Sequence, residues 1–122
     1  MDAKSKLIDL EQGIPRGSVG WVTGLGRAPH QDPLLEIALY NDMAGNANNP
    51  LHTHKLSTER LLVISGGMTV EVEGEEFWVG PFQMISIPPG LSHHIVFYDK
   101  GTVALNLRNS PQGAVGHLPE DR

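Results

Sequence analysis

Glycine and proline cut this chain into short apolar runs, and that punctuation limits its fold more than any other feature. Fourteen glycines and nine prolines fall within 122 residues. The runs between them are strand-sized, at intervals close to those of a β-sandwich or barrel. Expected strands are 19–23, 34–40, 59–65, 68–73, 76–79, 84–87, 94–98 and 102–108. Met68, Val70 and Val72 alternate with Thr69, Glu71 and Glu73, the pattern of a half-buried antiparallel strand. Gly66 and Gly67 read as a hairpin turn, and so do residues 73–75. No helix of ten residues or more is visible outside the N-terminal stretch, where Leu7, Ile8 and Leu10 would anchor a first strand or short helix. The class is all-β. Residues 1–18 form an N-terminal strand or arm, 19–109 the barrel and 110–122 a C-terminal tail.

A chain of this length makes one domain and buries roughly two thirds of the surface it exposes when unfolded. No stretch approaches the ~18 apolar residues of a membrane span. The N-terminus has charges but no apolar core of a secretory signal, so the expected location is cytoplasmic. With a net charge of −5 and its nine basic residues scattered, the chain offers no stripe to phosphates, and no nucleic-acid partner is expected. It contains no cysteine, which removes disulfides, thiolate nucleophiles and thiolate ligands together. Any metal must be held by His, Asp, Glu or backbone oxygen.

Four of the six histidines stand in two clusters. His52 and His54 would project from the same face of an extended strand, because side chains alternate with period two. By themselves they fit a surface loop after Pro50 as well as a metal site. Two further features weigh toward the site. Glu59 begins an apolar strand, and His93 and His94 follow a turn stiffened by Pro88, Pro89 and Gly90. Three imidazoles and a carboxylate would half-neutralise a divalent ion and leave one or two coordination positions open. Glu59 pairing with Lys55 or Arg60 on the surface is the plainer alternative.

These residues resemble the two motifs of the cupin superfamily. Gly45, His52, His54, Glu59 and Gly66 follow the first motif, with one extra residue between the glycine and the first histidine. Pro88, Gly90 and His93 follow the core of the second, although Gly80 lies further from the proline than the motif's opening glycine. The resemblance covers about residues 45–97. It implies a double-stranded β-helix, or jelly-roll barrel, with His52, His54, Glu59 and His93 as ligands of a divalent transition metal (Fe, Mn, Ni or Zn). Where the second motif often carries an asparagine, this chain has Phe97. Alternation from His93 would turn Ile95 and Phe97 inward, giving an apolar floor suited to a ring or alkyl group more than to a hydroxylated sugar. The superfamily hosts many reactions, so the resemblance names none.

Other residues admit two readings. Tyr40, Met43 and Met84 are candidate pocket linings or ordinary core. Alternation turns His94 away from His93, toward a structural or interfacial role. His30 and His117 read as solvated. Trp21, Phe77, Trp78 and Tyr98 read as core or interface aromatics. Arg60 and Arg108 are solvated strand ends or binders of an anionic substrate. Two functions follow. One is a metal-dependent enzyme of dioxygenase or isomerase type acting on a small, partly apolar molecule, with Glu59 as a candidate base. The other is a non-catalytic small-molecule or sugar-binding module. The outer positions Leu62, Ile64, Val96 and Tyr98 suit a homodimer.

Overall fold

The computed structural model describes residues 5–26 and 28–109, and these form eight strands and no helix. In chain order they are β1 (Ser18–Gly24), β2 (His30–Gln31), β3 (Leu35–Asn46), β4 (Glu59–Ser65), β5 (Met68–Val72), β6 (Glu75–Val79), β7 (Met84–Ile87) and β8 (His93–Asn109). Everything is arranged about β8. Its C-terminal half pairs antiparallel with β4, its N-terminal half with β5, and β3 runs along most of its length. Beyond these, β1 and then β2 extend the sheet past β3, while β7 lies on β4 and β6 on β5. This is the all-β jelly roll expected from the sequence. No helix among the described residues is long and apolar enough to cross a membrane.

Several boundaries differ from the expected ones, each for a local reason. Strand β3 continues six residues past Tyr40, because Asp42 and Gly45 take positive φ (55° and 83°) as bulges within the strand instead of ending it. The two expected strands 94–98 and 102–108 are one strand, since β3 stays paired to β8 on both sides of Gly101. Gly66 and Gly67 make no hairpin. They form a corner between β4 and β5, which pair with successive parts of β8 and not with each other. Thr102 is fully buried there, and its hydroxyl accepts from the Gly67 N–H at 3.1 Å. The second expected hairpin is present: Glu73 and Gly74 both have positive φ, and Val72 pairs with Glu75. Strand β2, two residues long, is too short for periodicity to reveal.

The main core gathers Tyr40, Leu61, Val63, Met68, Val70, Val79, Ile87, Ile95, Tyr98 and Ala104, with Met43 packed against it. A smaller cluster joins Ile14, Val22 and Leu39, against which Ile8 rests. Residues 5–17 form neither strand nor helix, only turns, and Leu7 is fully exposed. His30 is half-buried in β2, where it pairs with Thr23. His117 and the tail 110–122 lie outside the described residues.

One bulge alters the reading of the pocket floor. Ile95 pairs with Val70 but Phe97 pairs with Thr69, so Val96 is an extra residue that resets the alternation. Phe97 therefore faces outward at 40% exposure, and Tyr98 turns into the core at 4%. Tyr98 thus leaves the outer positions expected for a dimer contact, where Ile64 is exposed and Leu62 and Val96 are half-buried.

Candidate metal centre

Three backbone ties bring the histidine loop to the head of β8. His52 and His93 exchange N–H···O bonds of 3.0 and 2.8 Å, an isolated antiparallel bridge. The Gly90 N–H donates to the His54 carbonyl at 2.8 Å, so the Pro88–Gly90 turn grips the loop directly. Asn49 Oδ1 accepts the Ile95 N–H, and His94 Nδ1 donates to the Asn49 carbonyl. The histidine pair thus sits in an extended loop and not in a strand. His94, which also donates to Glu71 Oε1 at 2.5 Å, clips that loop to β5.

At this corner one ligand atom from each of His52, His54, Glu59 and His93 lies within 4.8 Å of all the others. Glu59 comes from the inward face of β4, which it shares with Leu61 and Val63. The rings of His52 and His93 are oriented from behind, their Nδ1 atoms 2.8 and 2.9 Å from the carbonyls of Pro50 and Leu91. That fixes Nδ1 as the N–H and leaves Nε2 for the centre. Glu59 Oε1 lies 2.6 Å from His93 Nε2 and 3.2 Å from His54 Nε2. Two imidazole nitrogens converging on one carboxylate oxygen is an arrangement whose shared protons a cation can replace. The donor set and its convergence fit a divalent transition ion.

Charge within the corner is already organised. Burial acts to raise the Glu59 pKa, but hydrogen bonds and charge from His54 and His93 outweigh it and hold the carboxyl well below the usual carboxylate range. Burial disfavours the charged form of His93, yet its bonds to Glu59 and the Leu91 carbonyl prevail and raise its pKa. For His52 desolvation wins and the pKa is lowered. The other Glu59 oxygen, Oε2, accepts a short hydrogen bond from Asn106 Nδ2, which also lies 3.3 Å from the Tyr40 hydroxyl. Asn106 Oδ1 is buried with no hydrogen-bond partner. Burial and the charge of Glu59 push the Tyr40 phenol well above its ordinary pKa, so it keeps its proton.

The four residues form part of the wall of a cavity of about 310 Å³, which Trp21, Tyr40, Asn49, Pro50, Leu61, Ile95, Asn106 and Arg108 complete. Of the residues singled out as pocket linings, the structure brings Tyr40 and Ile95 to this wall. Met43 packs on the core instead, Met84 is half-exposed on β7, and Phe97 faces outward. The apolar floor inferred from Phe97 is therefore absent, and Ile95 and Leu61 supply what apolar wall there is. Asn106, on the same wall, is a site residue that the motif spacing does not reveal. Arg108, by its sequence a strand end or an anion binder, is buried, with Nε 2.6 Å from Glu36 Oε1, its guanidinium 5.4 Å from the centre of the Trp21 ring, and Nη1 against His54. The available signal was polarity on an inward face: Ala104, Asn106 and Arg108 alternate along β8, and Glu36 pairs opposite Arg108.

Residues 39–106, more than half of the chain and including all four candidate ligands, match the family model described as the cupin domain. The chain belongs to the cupin family. Solved structures agree on the fold. KdgF from Halomonas sp. superposes with a TM-score of 0.65 at 17% identity, over 88% of this cupin and 94% of that chain. The DMSP lyase DddQ from Ruegeria pomeroyi DSS-3 gives 0.65 at 22% identity, over 88% of this cupin but only 53% of the longer lyase. Pac13, a nucleoside dehydratase of Streptomyces, gives 0.65 at 12% identity, over 88% and 83%. At such identities the likeness is one of fold. No curated protein matches the chain by sequence.

Proposed function

We propose that this cupin is a metal-dependent enzyme that holds a divalent transition ion through His52, His54, Glu59 and His93. Its substrate is a small organic molecule lodged in the adjoining cavity, and its chemistry is of isomerase or dioxygenase type. The observation that carries this reading is the convergence of four ligand atoms within 4.8 Å, on rings already oriented by backbone carbonyls, at the wall of a cavity. When bound, the ion supplies Lewis-acid polarisation of a substrate oxygen. The chain's own residues do the rest. His52 and His93 are pre-set, so little ordering is needed on loading. Glu59 balances charge, and Tyr40 presents a protonated phenol at the cavity wall as a hydrogen-bond donor. At about 310 Å³ the cavity sits at the small end of ligand sites, which limits the substrate to a compact molecule. Cupins as different as a DMSP lyase and a nucleoside dehydratase share this fold, so fold alone does not select the reaction.

The test is elemental analysis of the purified protein, followed by turnover and oxygen-uptake assays before and after chelation. We expect about one equivalent of metal in the wild type and a large loss in His54→Ala. Full occupancy in that variant would remove His54 from the ligand set. Saturable binding with no product over hours would assign the cavity to a binding module instead.

A further inference from the structure

We infer that the groove between β6 and β7 receives an extended peptide, paired along the free edge of β6, with basic side chains outward and apolar ones inward. The groove is separate from the candidate metal centre, and none of the residues lining it lines that cavity. Among the described residues, β6 pairs only with β5 and β7 only with β4. Between these two edges lies a groove of about 450 Å³, whose walls include Phe77, Trp78, Val79, Gln83, Met84 and Ile85.

The inward side of this groove carries uncovered apolar surface. Phe77 pairs with Val70 and alternates with Val79, which places it on the inward face with those two residues. Yet Phe77 is 38% exposed, against 0% and 4% for Val70 and Val79. Across the groove Ile85, on the inward face of β7 with buried Ile87, is only half-buried. Backbone groups are available as well. Val72 and Glu75 flank the two-residue turn between β5 and β6, so they form a hydrogen-bonded pair. Bonds to β5 then fall to Glu75, Phe77 and Val79, while Glu76 and Trp78 turn their N–H and C=O groups to the open edge. A strand added there meets backbone partners and apolar surface together, the way sheet edges take up extended peptides.

The outer face decides the charge of the partner. Trp78 points outward and is 58% exposed, yet its ring is held in place. Its Nε1 donates to Asp99 Oδ2 at 2.9 Å. The indole also lies against Gly67 and Gly80, where a Cβ built at either position would come within 2.6 Å of a ring atom. A fixed, exposed indole attracts a cation to its face. Carboxylates bracket it. Asp99 stands at its N–H, Glu76 lies two residues back on the same face, and Glu71 pairs opposite Glu76. Against them stand His94, which takes Glu71, and the exposed Lys100 beside Asp99. Glu73 and Glu75 at the hairpin add to the acidic side, so the balance of this edge is negative. In a strand laid on β6, the side chains opposite Glu76 and Trp78 face outward and those between them face Phe77. Charge complementarity makes the first set basic, and the exposed Phe77 and Ile85 make the second apolar.

The experiment titrates the full-length protein into a fluorescein-labelled peptide that alternates arginine and valine, followed by anisotropy. Two further probes replace arginine by uncharged citrulline, or carry a methyl group on every backbone nitrogen. The arginine peptide is expected to bind at least roughly 10-fold more tightly than the citrulline peptide, the size of one cation–aromatic contact reinforced by a carboxylate. The methylated peptide, which has no N–H to donate to the edge, is expected to lose most of its binding. Trp78→Leu is expected to reduce the preference for arginine. Glu76→Gln, an exposed change that leaves the indole and its packing untouched, is expected to reduce it several-fold and serves if Trp78→Leu does not fold. No saturable binding, equal binding of the arginine and citrulline peptides, full binding of the methylated one, or an unchanged preference in Glu76→Gln overturns the inference. A mass that falls from dimer to monomer as the arginine peptide is added assigns the groove to a second copy of the chain, and overturns it too.

Discussion

A carboxylate that must keep one place in a buried site needs both of its oxygens occupied, and Glu59 has them occupied from opposite sides. Oε1 faces the histidines and Oε2 takes the Asn106 amide. Asn106 thus acts on the centre through Glu59, as outer partners of metal ligands commonly do. In Asn106→Leu, which keeps bulk and removes the donor, metal affinity is expected to fall by about 10- to 100-fold. Competition with a chromophoric chelator measures it, and an unchanged affinity would show that Glu59 is held by the histidines alone. The four candidate ligands were legible in the sequence because their spacing follows a motif. Asn106 and Arg108 were not, because a polar residue among apolar ones looks the same whether it ends a strand in water or points into a core.

At the scale of elements, the corner between β4 and β5 lets those strands pair with successive parts of β8. The β4–β5 corner depends on Gly66, whose φ is +76°, and a Cβ built there would come within 2.7 Å of the Thr102 backbone. Gly74 has a similar φ of +84° with nothing within 4 Å. Gly74→Ala is therefore expected to cost only the ~1 kcal/mol of left-handed strain. Gly66→Ala adds a clash with backbone that cannot yield, for about 2 kcal/mol or more. Urea melts of the two variants separate strain from crowding, and equal losses would mean that the corner relaxes.

The loop holding His52 depends on a second device, the His94 clip. Its bonds to the Asn49 carbonyl and then to Glu71 raise the His94 pKa. A raised folded-state pKa contributes stability that is fully present below the unfolded value of about 6.5. That contribution disappears as pH rises through the folded pKa. The stability gap between wild type and His94→Gln is thus expected to be wider at acidic than at alkaline pH in thermal melts. A gap independent of pH would mean that the clip works uncharged.

At the scale of the whole molecule, the sheet formed by the described residues has open edges. Among the described residues, strand β7 pairs only with β4, and β6 only with β5. Exposed edges and outward apolar residues favour association. We propose that a second copy covers Leu62, Ile64 and Val96 on the outer surface, without the buried Tyr98. Light scattering at micromolar concentration is expected to return twice the chain mass of 13.3 kDa. A monomeric mass would remove the proposal.

The sequence by itself determined the strand class, most strand positions and the four residues that meet at the centre. These depend on short-range facts: period-two alternation, glycine and proline punctuation, and histidines at motif spacing. Tertiary structure alone decided which way Phe97 and Tyr98 face, because one extra residue at Val96 reverses every later side chain and only pairing with β5 reveals it. Tertiary structure also decided that Arg108 lies buried between Glu36 and His54. Those contacts join residues 72 and 54 positions apart, and no local pattern encodes the register that brings them together.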